Sequence, residues 1–234
     1  MTRRRGQAAL ESALTLPLVV FLFLGMLQLM LAFQARAMAQ YAAARSVRVG
    51  STNHATCRNM MDAAVLALLP SFNSFARPGA DPTDAVAEAF RRHGSANRYR
   101  YDDAYSKGGA PLRFVGEIVW LRRWFAKPVT PATELNFDQP GPPQRQQVQV
   151  VYWFPLKIPF ANWVISRMVL GYMGVNPLMP TQPGSGSPPS LNGLGPAVSA
   201  RAAAGETVLP ILADASMRMM SPVRDDSPQC GGAP

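Results

Sequence analysis

Residues 3–35 decide the fold, and they read RRRGQAALESALTLPLVVFLFLGMLQLMLAFQA. Three arginines precede a glycine, and the stretch from Ser12 to Ala35 holds 24 residues without a charge. Because a helix needs about 20 apolar residues to cross a bilayer, this stretch predicts a membrane span. Glu11 stands at its start, although a carboxylate costs roughly 2–3 kcal/mol near the bilayer centre and less near an interface. This placement favours a functional explanation for Glu11.

A cleaved secretory signal is the common alternative for a basic start followed by an apolar run. The apolar part of such a signal is about 7–15 residues long, which is shorter than the run in this chain. Alanine-rich sequence also follows the run, and no proline or glycine interrupts residues 27–48. The sequence therefore predicts one helix over Gln7–Leu69, which Gly50 and residues 51–53 can bend or break and which Pro70 ends.

The sequence RRRGQAALE at residues 3–11, running straight into an apolar helix, resembles the leader of type IV prepilins. In that family a membrane peptidase cuts after a glycine, and a glutamate lies shortly after the cut. The resemblance implies cleavage between Gly6 and Gln7 and a helix kink at Pro17. It also implies that Glu11 pairs with the new N-terminus of a neighbouring subunit during assembly. The fold implied is α+β and pilin-like, with a long N-terminal transmembrane helix packed on a small antiparallel sheet.

Within that superfamily, the chain is more similar to TadE-like pseudopilins of the tight-adherence (Tad) pilus. The similarity lies in RGQAALESAL at residues 5–14 and LPL at 16–18, with looser similarity at 42–45, 148–160 and 212–222. The length of 234 residues argues against a small major pilin. The resemblance implies a structural minor pilin or pseudopilin that acts in assembly, or at the tip, of a Tad-type pilus. Its implied partners are a prepilin peptidase, other pilins through the N-terminal helix, and the Tad inner-membrane assembly platform.

The expected organisation follows from this resemblance and from the charge pattern. We expect a leader at 1–6, a transmembrane helix at 7–35, a periplasmic continuation of the helix at 36–69, and a loop-rich extracytoplasmic α+β domain at 70–234. Arginines are concentrated before the span, which favours a cytoplasmic N-terminus. The expected location is the bacterial inner membrane with the body in the periplasm, and outside the cell once a pilus is assembled.

Within the extracytoplasmic part, apolar periodicity and turn residues predict the remaining elements. Helices are predicted at 84–92 and 162–172, and strands at 114–125, 145–154 and 209–220. In the strand at 145–154, the even-numbered residues from Val148 to Phe154 are predicted to share the buried face. Of the 21 residues from Asn176 to Pro196, 13 are Pro, Gly or Ser, which predicts a flexible loop.

The two cysteines, Cys57 and Cys230, can form a disulfide if the body lies outside the cytoplasm. The count alone leaves open whether they pair. His54 and Cys57 share a helix face, but a zinc site needs further ligands and no spacing supplies them. We therefore predict no metal site and no cofactor.

The net charge of +9 raises the question of nucleic-acid binding. The basic residues are scattered without interleaved aromatic residues, so we predict no nucleic-acid partner and favour anionic lipids or cell surfaces as contacts. The sequence contains no Ser-His-Asp pattern, phosphate-binding glycine loop or HExxH motif, so an enzyme is not expected. The alternative to a pilin is an unprocessed, single-span membrane-anchored periplasmic protein that binds a partner or surface. A surface adhesin delivered on the filament is a third class, which overlaps the pilin hypothesis.

Overall fold

The computed structural model describes residues 4–73, 81–93, 97, 117–125, 144–158, 160–172, 194–223 and 229–230, with residues 4–10 described by their backbone alone. The helices are α1 (Arg4–Thr52), α2 (Cys57–Phe72), α3 (Pro82–His93), α4 (Ala161–Tyr172) and α5 (Gly195–Ala203). The strands are β1 (Val119–Phe125), β2 (Arg145–Pro155), β3 (Val208–Arg218) and β4 (Gln229–Cys230). The protein is α+β, with a long apolar N-terminal helix and a small antiparallel sheet, which confirms the predicted fold class.

The chain divides into two compact units. The first unit, which we call the anchor unit, contains Met1–Phe33 and Pro155–Leu209. The second, which we call the sheet unit, contains Gln34–Phe154 and Pro210–Pro234. The predicted boundaries of leader, span and outer domain stay predictions.

In the sheet unit, the last part of α1 buries a narrow stripe of small side chains. The stripe recurs every three or four residues, as one face of a helix does, and consists of Ala35, Ala39, Ala42, Ala43, Ser46, Val47 and Gly50. A Cβ placed on Gly50 would lie 2.7 Å from Gln146 Oε1 and 2.8 Å from Met60 Sδ. The small residues therefore allow the helix backbone to approach β2 and α2 closely.

A short junction at residues 53–56 separates α1 from α2, at the place where the sequence predicts a bend or break. His54 and Ala55 both have a φ of 55°, in the left-handed region that costs an L-residue roughly 1–2 kcal/mol. Contacts to the segment after β3 hold the junction: the His54 backbone N–H donates to Ser221 Oγ at 2.8 Å, and Ser221 Oγ donates to the Ser51 carbonyl at 3.0 Å. The chain therefore leaves α1 at this junction and continues as a separate helix, α2.

The predicted helix end at Pro70 is wrong, because α2 continues through Pro70 to Phe72. Pro70 has no N–H to donate to the carbonyl one turn back, so that one hydrogen bond is missing, yet the two residues after it stay helical. The Asn73 backbone N–H donates to the Leu69 carbonyl at 2.9 Å and closes the helix. The Ser71 hydroxyl also lies 2.6 Å from the Tyr152 hydroxyl on β2.

The sheet has the strand order β3-β2-β1-β4. β1 pairs with β2 in an antiparallel register that runs from Val119 opposite Tyr152 to Phe125 opposite Gln146. β4 extends the sheet by two residues, with Cys230 opposite Leu121. The part of the predicted strand at 114–116 lies outside the described residues.

The predicted one-sided burial of β2 holds only for its first part. Gln147 is exposed and its neighbours Gln146 and Val148 are buried, but every residue from Val150 to Pro155 is buried. Trp153, on the face predicted to be open, packs edge-to-face on Trp120 with ring centroids 4.9 Å apart. The end of β2 is therefore covered on both sides, which alternation alone cannot indicate.

The remaining predicted elements lie close to their expected positions. α3 begins at Pro82, where Asp81 Oδ1 accepts the backbone N–H of Thr83 at 2.9 Å. α4 begins one residue before its predicted start, and β3 covers Val208–Arg218. Most of the predicted loop at 176–196 lies outside the described residues, but its last two residues belong to α5 and are a correction to that prediction.

Candidate functional site at the N-terminal helix

Around residues 18–21, the apolar part of α1 is open to its surroundings on every side. Leu18, Val19, Val20 and Phe21 are 43–65% exposed, and four consecutive residues go once around a helix. Among the described residues, one helix is long and apolar enough to cross a membrane, and 6% of its most apolar 18-residue window is buried. Large apolar side chains exposed all around a helix are typical of contact with lipid or with other apolar helices.

Glu11 stands at the start of this apolar surface and is exposed. Its backbone carbonyl accepts the Thr15 hydroxyl at 2.9 Å. Pro17 lies inside α1, which continues through it, and the predicted kink stays a prediction. The backbone of Gly6 and Gln7 belongs to α1, while their side chains are outside the description.

Gln28 is a polar residue that the sequence analysis missed. Its side chain is fully buried, and Gln28 Oε1 accepts the backbone N–H of Ile158 at 2.9 Å. Both residues belong to the anchor unit. The sequence does mark this residue, because Gln28 is the one polar side chain in the apolar stretch at residues 18–33. A polar side chain inside an apolar span usually faces a protein partner, and here the partner is the backbone just before α4.

A disulfide joins α2 and β4 within the sheet unit. Cys57, the first residue of α2, is bonded to Cys230 of β4, with a Cα–Cα distance of 5.0 Å. The neighbouring Arg123 of β1 is fully buried and donates from Nη1 to the Ala55 carbonyl in the junction. The disulfide therefore ties the start of α2 to β4, and Arg123 holds the adjacent junction at residues 53–56.

The described residues offer little to reaction chemistry. They contain no group of three or more His, Cys, Asp or Glu side chains placed to hold a metal ion. Cys57 and Cys230 are in the disulfide, so neither is a thiolate ligand. His54 Nδ1 lies 2.9 Å from the Pro222 carbonyl, and His93 packs edge-to-face on Phe72. The two histidines thus have structural neighbours.

Comparison with known proteins adds a family to this geometry. Residues 6–48 match the family model described as TadE-like protein. This N-terminal segment of the chain is similar to TadE-like proteins. The matched segment covers Glu11, the exposed apolar surface and most of the stripe of small residues in α1. No curated protein and no solved structure matches the chain.

The TadE-like match bears on location, partners and activity. Together with the apolar helix, it supports a membrane-anchored protein related to the Tad pilus. The TadE-like family is a family of structural pilus proteins, which implies contacts with other pilus or assembly components.

Proposed function

We propose that this protein is a minor pilin or pseudopilin that acts in assembly, or at the tip, of a Tad-type pilus. In this proposal a prepilin peptidase cuts after Gly6, and Gln7 becomes the mature N-terminus. The N-terminus starts in the cytoplasm, the body lies in the periplasm, and assembly carries the protein onto the filament. The observation that carries the proposal is the TadE-like match, which falls on a helix whose apolar surface is uncovered.

The uncovered helix supports assembly through helix–helix contact. After extraction from lipid, the large apolar residues at 14–33 need new apolar neighbours, and equivalent helices of other subunits would supply them. Glu11 at the start of this surface would then enter an apolar bundle, where a new α-amino group on a neighbouring subunit can balance its charge. Breaking such a buried pair costs about 3–5 kcal/mol, enough to select one axial register.

The remainder of the chain supports a specialised subunit. The sheet unit has its own sheet, two helices packed on it and a disulfide, which is more than a shaft built of helices needs. Disulfides persist in oxidising compartments, in keeping with a body outside the cytoplasm. The proposed partners are the peptidase, other pilins and the Tad assembly platform.

The first experiment is intact mass and N-terminal peptide analysis of the protein from membranes of its native host. We expect a chain that begins at Gln7, and we expect Gly6→Leu to leave the leader in place. Gly25→Leu is the matched control, because no atom lies within 4 Å of a Cβ placed on Gly25. A wild-type chain that still begins at Met1 in cells with an active peptidase would contradict the processing step.

The second experiment separates assembly from membrane insertion. Glu11→Ala is expected to stay in the membrane fraction, because it removes a charge from the start of the span, but to reduce the protein recovered in sheared filaments. Ser12→Ala is the neighbouring control and should assemble normally. Normal filaments with Glu11→Ala would refute the pairing argument.

The alternative function is an unprocessed, single-span anchored protein that binds a partner or a surface. It is favoured if the leader is retained and the protein is absent from sheared filaments while it stays in the membrane. Binding of the filament-borne body to a cell surface would instead add an adhesive role to the first proposal.

A further inference from the structure

We propose that α4 is a membrane-interface helix that lies against the outer leaflet beside the span and contacts lipid through Phe160, Trp163, Met168 and Tyr172. This contact goes beyond the role in a pilus and does not depend on leader cleavage. It rests on two observations within the anchor unit: the surface of α4, and the contact that fixes its level on α1.

The first observation is the exposed side of α4. Phe160 is 73% exposed, Trp163 61%, Met168 69% and Tyr172 72%, which leaves four large apolar side chains open. At about 100° per residue, Trp163, Met168 and Tyr172 are spread over one half of the circumference of α4, with the exposed Arg167 and Gly171 between them, while Leu170 is buried. Tryptophan and tyrosine are enriched at membrane interfaces, where their rings meet acyl chains and their polar atoms meet water and headgroups.

The polar atoms on this side fit the same environment. The Arg167 guanidinium lies 5.9 Å from the centroid of the Trp163 ring, in a cation–π arrangement. Arginine with aromatic neighbours is typical of helices that lie in the plane of the membrane with their apolar side a few ångström below the headgroups. An arginine in this position also suits contact with anionic lipid headgroups.

The second observation is the level of α4 along the span. The buried Gln28 side chain accepts the backbone N–H of Ile158 at 2.9 Å, three residues before α4 begins. Gln28 follows Glu11 by 17 residues, or about 25 Å along the axis of a helix. If Glu11 marks one boundary of the hydrocarbon, which is about 30 Å thick, Ile158 lies within about 5 Å of the other boundary.

The turn that leads into α4 fixes the direction of its exposed side. Phe160 has a φ of 63°, which is unfavourable for a bulky residue and persists only where the surroundings require it. The Asn162 backbone N–H donates to the Ile158 carbonyl at 2.9 Å, so the turn is attached to the residue that Gln28 holds. The chain thus starts α4 at the membrane boundary with an aromatic side chain pointing away from the protein.

Depth-dependent fluorescence quenching tests the proposal on the full-length, disulfide-bonded protein in phosphatidylcholine nanodiscs. The lipids carry a nitroxide either near the headgroup or near the end of the acyl chain. Of the four tryptophans, Trp120 and Trp153 are buried, so Trp163 and Trp124 are the exposed candidates. We expect stronger quenching by the headgroup-proximal nitroxide, and loss of most of it in Trp163→Phe but not in the matched control Trp124→Phe.

Quenching that is unchanged by Trp163→Phe would overturn the proposal. A photoreactive benzophenone amino acid at Tyr172 gives an independent test in the same nanodiscs, and a lipid adduct is the expected product. An adduct to a second copy of the chain, without a lipid adduct, would show that protein covers this side and would also overturn the proposal. Neither readout depends on the N-terminus, so failure here is distinct from failure of the processing proposal.

Discussion

The Cys57–Cys230 disulfide should contribute much of the stability of the sheet unit. The two residues are 173 positions apart in sequence, so the bond closes a very long loop in the unfolded chain. The chain-entropy relation gives about 5 kcal/mol for a loop of this length, at the upper end of measured values. We therefore expect the double variant Cys57→Ala/Cys230→Ala to lose several kcal/mol in the free energy of unfolding.

The assay is equilibrium urea unfolding of the full-length protein in nanodiscs, followed by tryptophan fluorescence. Trp120 and Trp153 form the edge-to-face pair in the core of the sheet, so their signal reports on the sheet unit. Reduced wild-type protein is the control and should unfold at the same urea concentration as the double variant. A loss below about 1 kcal/mol would refute the loop-closure argument, because it would mean that the reduced unfolded chain is already constrained.

The same perturbation has a local consequence that a global effect does not imply. β4 consists of two residues, and its described backbone pairing is with Leu121 and Arg122 of β1. Without the bridge, so short a strand has little to hold it, and the backbone amides at 229–230 should exchange with solvent faster than those that join β1 and β2. Unchanged exchange at β4 in the reduced protein would show that strand pairing alone suffices there.

Three further predictions concern packing, a hydrogen bond and a carboxylate, and all are measured by urea unfolding. Trp163 reports on the carboxylate, because it lies in the anchor unit with Glu206. Ala39→Leu should cost about 1–3 kcal/mol because Ala39 is fully buried, whereas Ala37→Leu on the exposed side of the same helix should be nearly neutral. Ser51→Ala should cost about 1 kcal/mol because the Ser51 hydroxyl donates at 2.6 Å to a backbone carbonyl at the end of β3, and an unchanged midpoint would refute this. Burial raises the pKa of Glu206, and Arg201 opposes part of that rise. The contribution of Glu206 to stability should therefore decline as pH rises from the ordinary glutamate pKa to the raised one. Glu206→Gln should remove this decline, and a variant with the same pH profile as the wild type would contradict the prediction.

Local signals in the sequence predicted much of the fold. The apolar run after Glu11, the alanine-rich continuation and the break near Gly50 all follow from helix propensity and from side-chain size, which are properties of neighbouring residues. The strand at 145–154 and the helix at 162–172 were likewise found from their periodicity, within about a residue of β2 and α4. The Cys57–Cys230 pair was permitted by the cysteine count, but only the fold brings the two Cα atoms within 5.0 Å.

The features that escaped prediction depend on contacts between distant residues. β4 is two residues long, too short for any periodic pattern, and it exists because Cys230 lies opposite Leu121 and is bonded to Cys57. The burial of β2 on both faces depends on what packs against Trp153. Gln28 is visible in the sequence as an isolated polar residue, but its partner Ile158 is 130 residues away.

The two parts of α1 differ in side-chain size because they meet different surroundings. Large side chains at 14–33 are exposed, as lipid or neighbouring apolar helices require, whereas the stripe from Ala35 to Gly50 carries small side chains that let a backbone approach β2 and α2. A uniform helix could not meet both demands, since large residues would clash in the sheet unit and alanines would bury too little apolar surface in the membrane. The TadE-like match extends over both parts and ends at Arg48, close to the junction. The matched segment is therefore a helix that combines an exposed apolar surface with a stripe of small residues against which α2 and β2 pack.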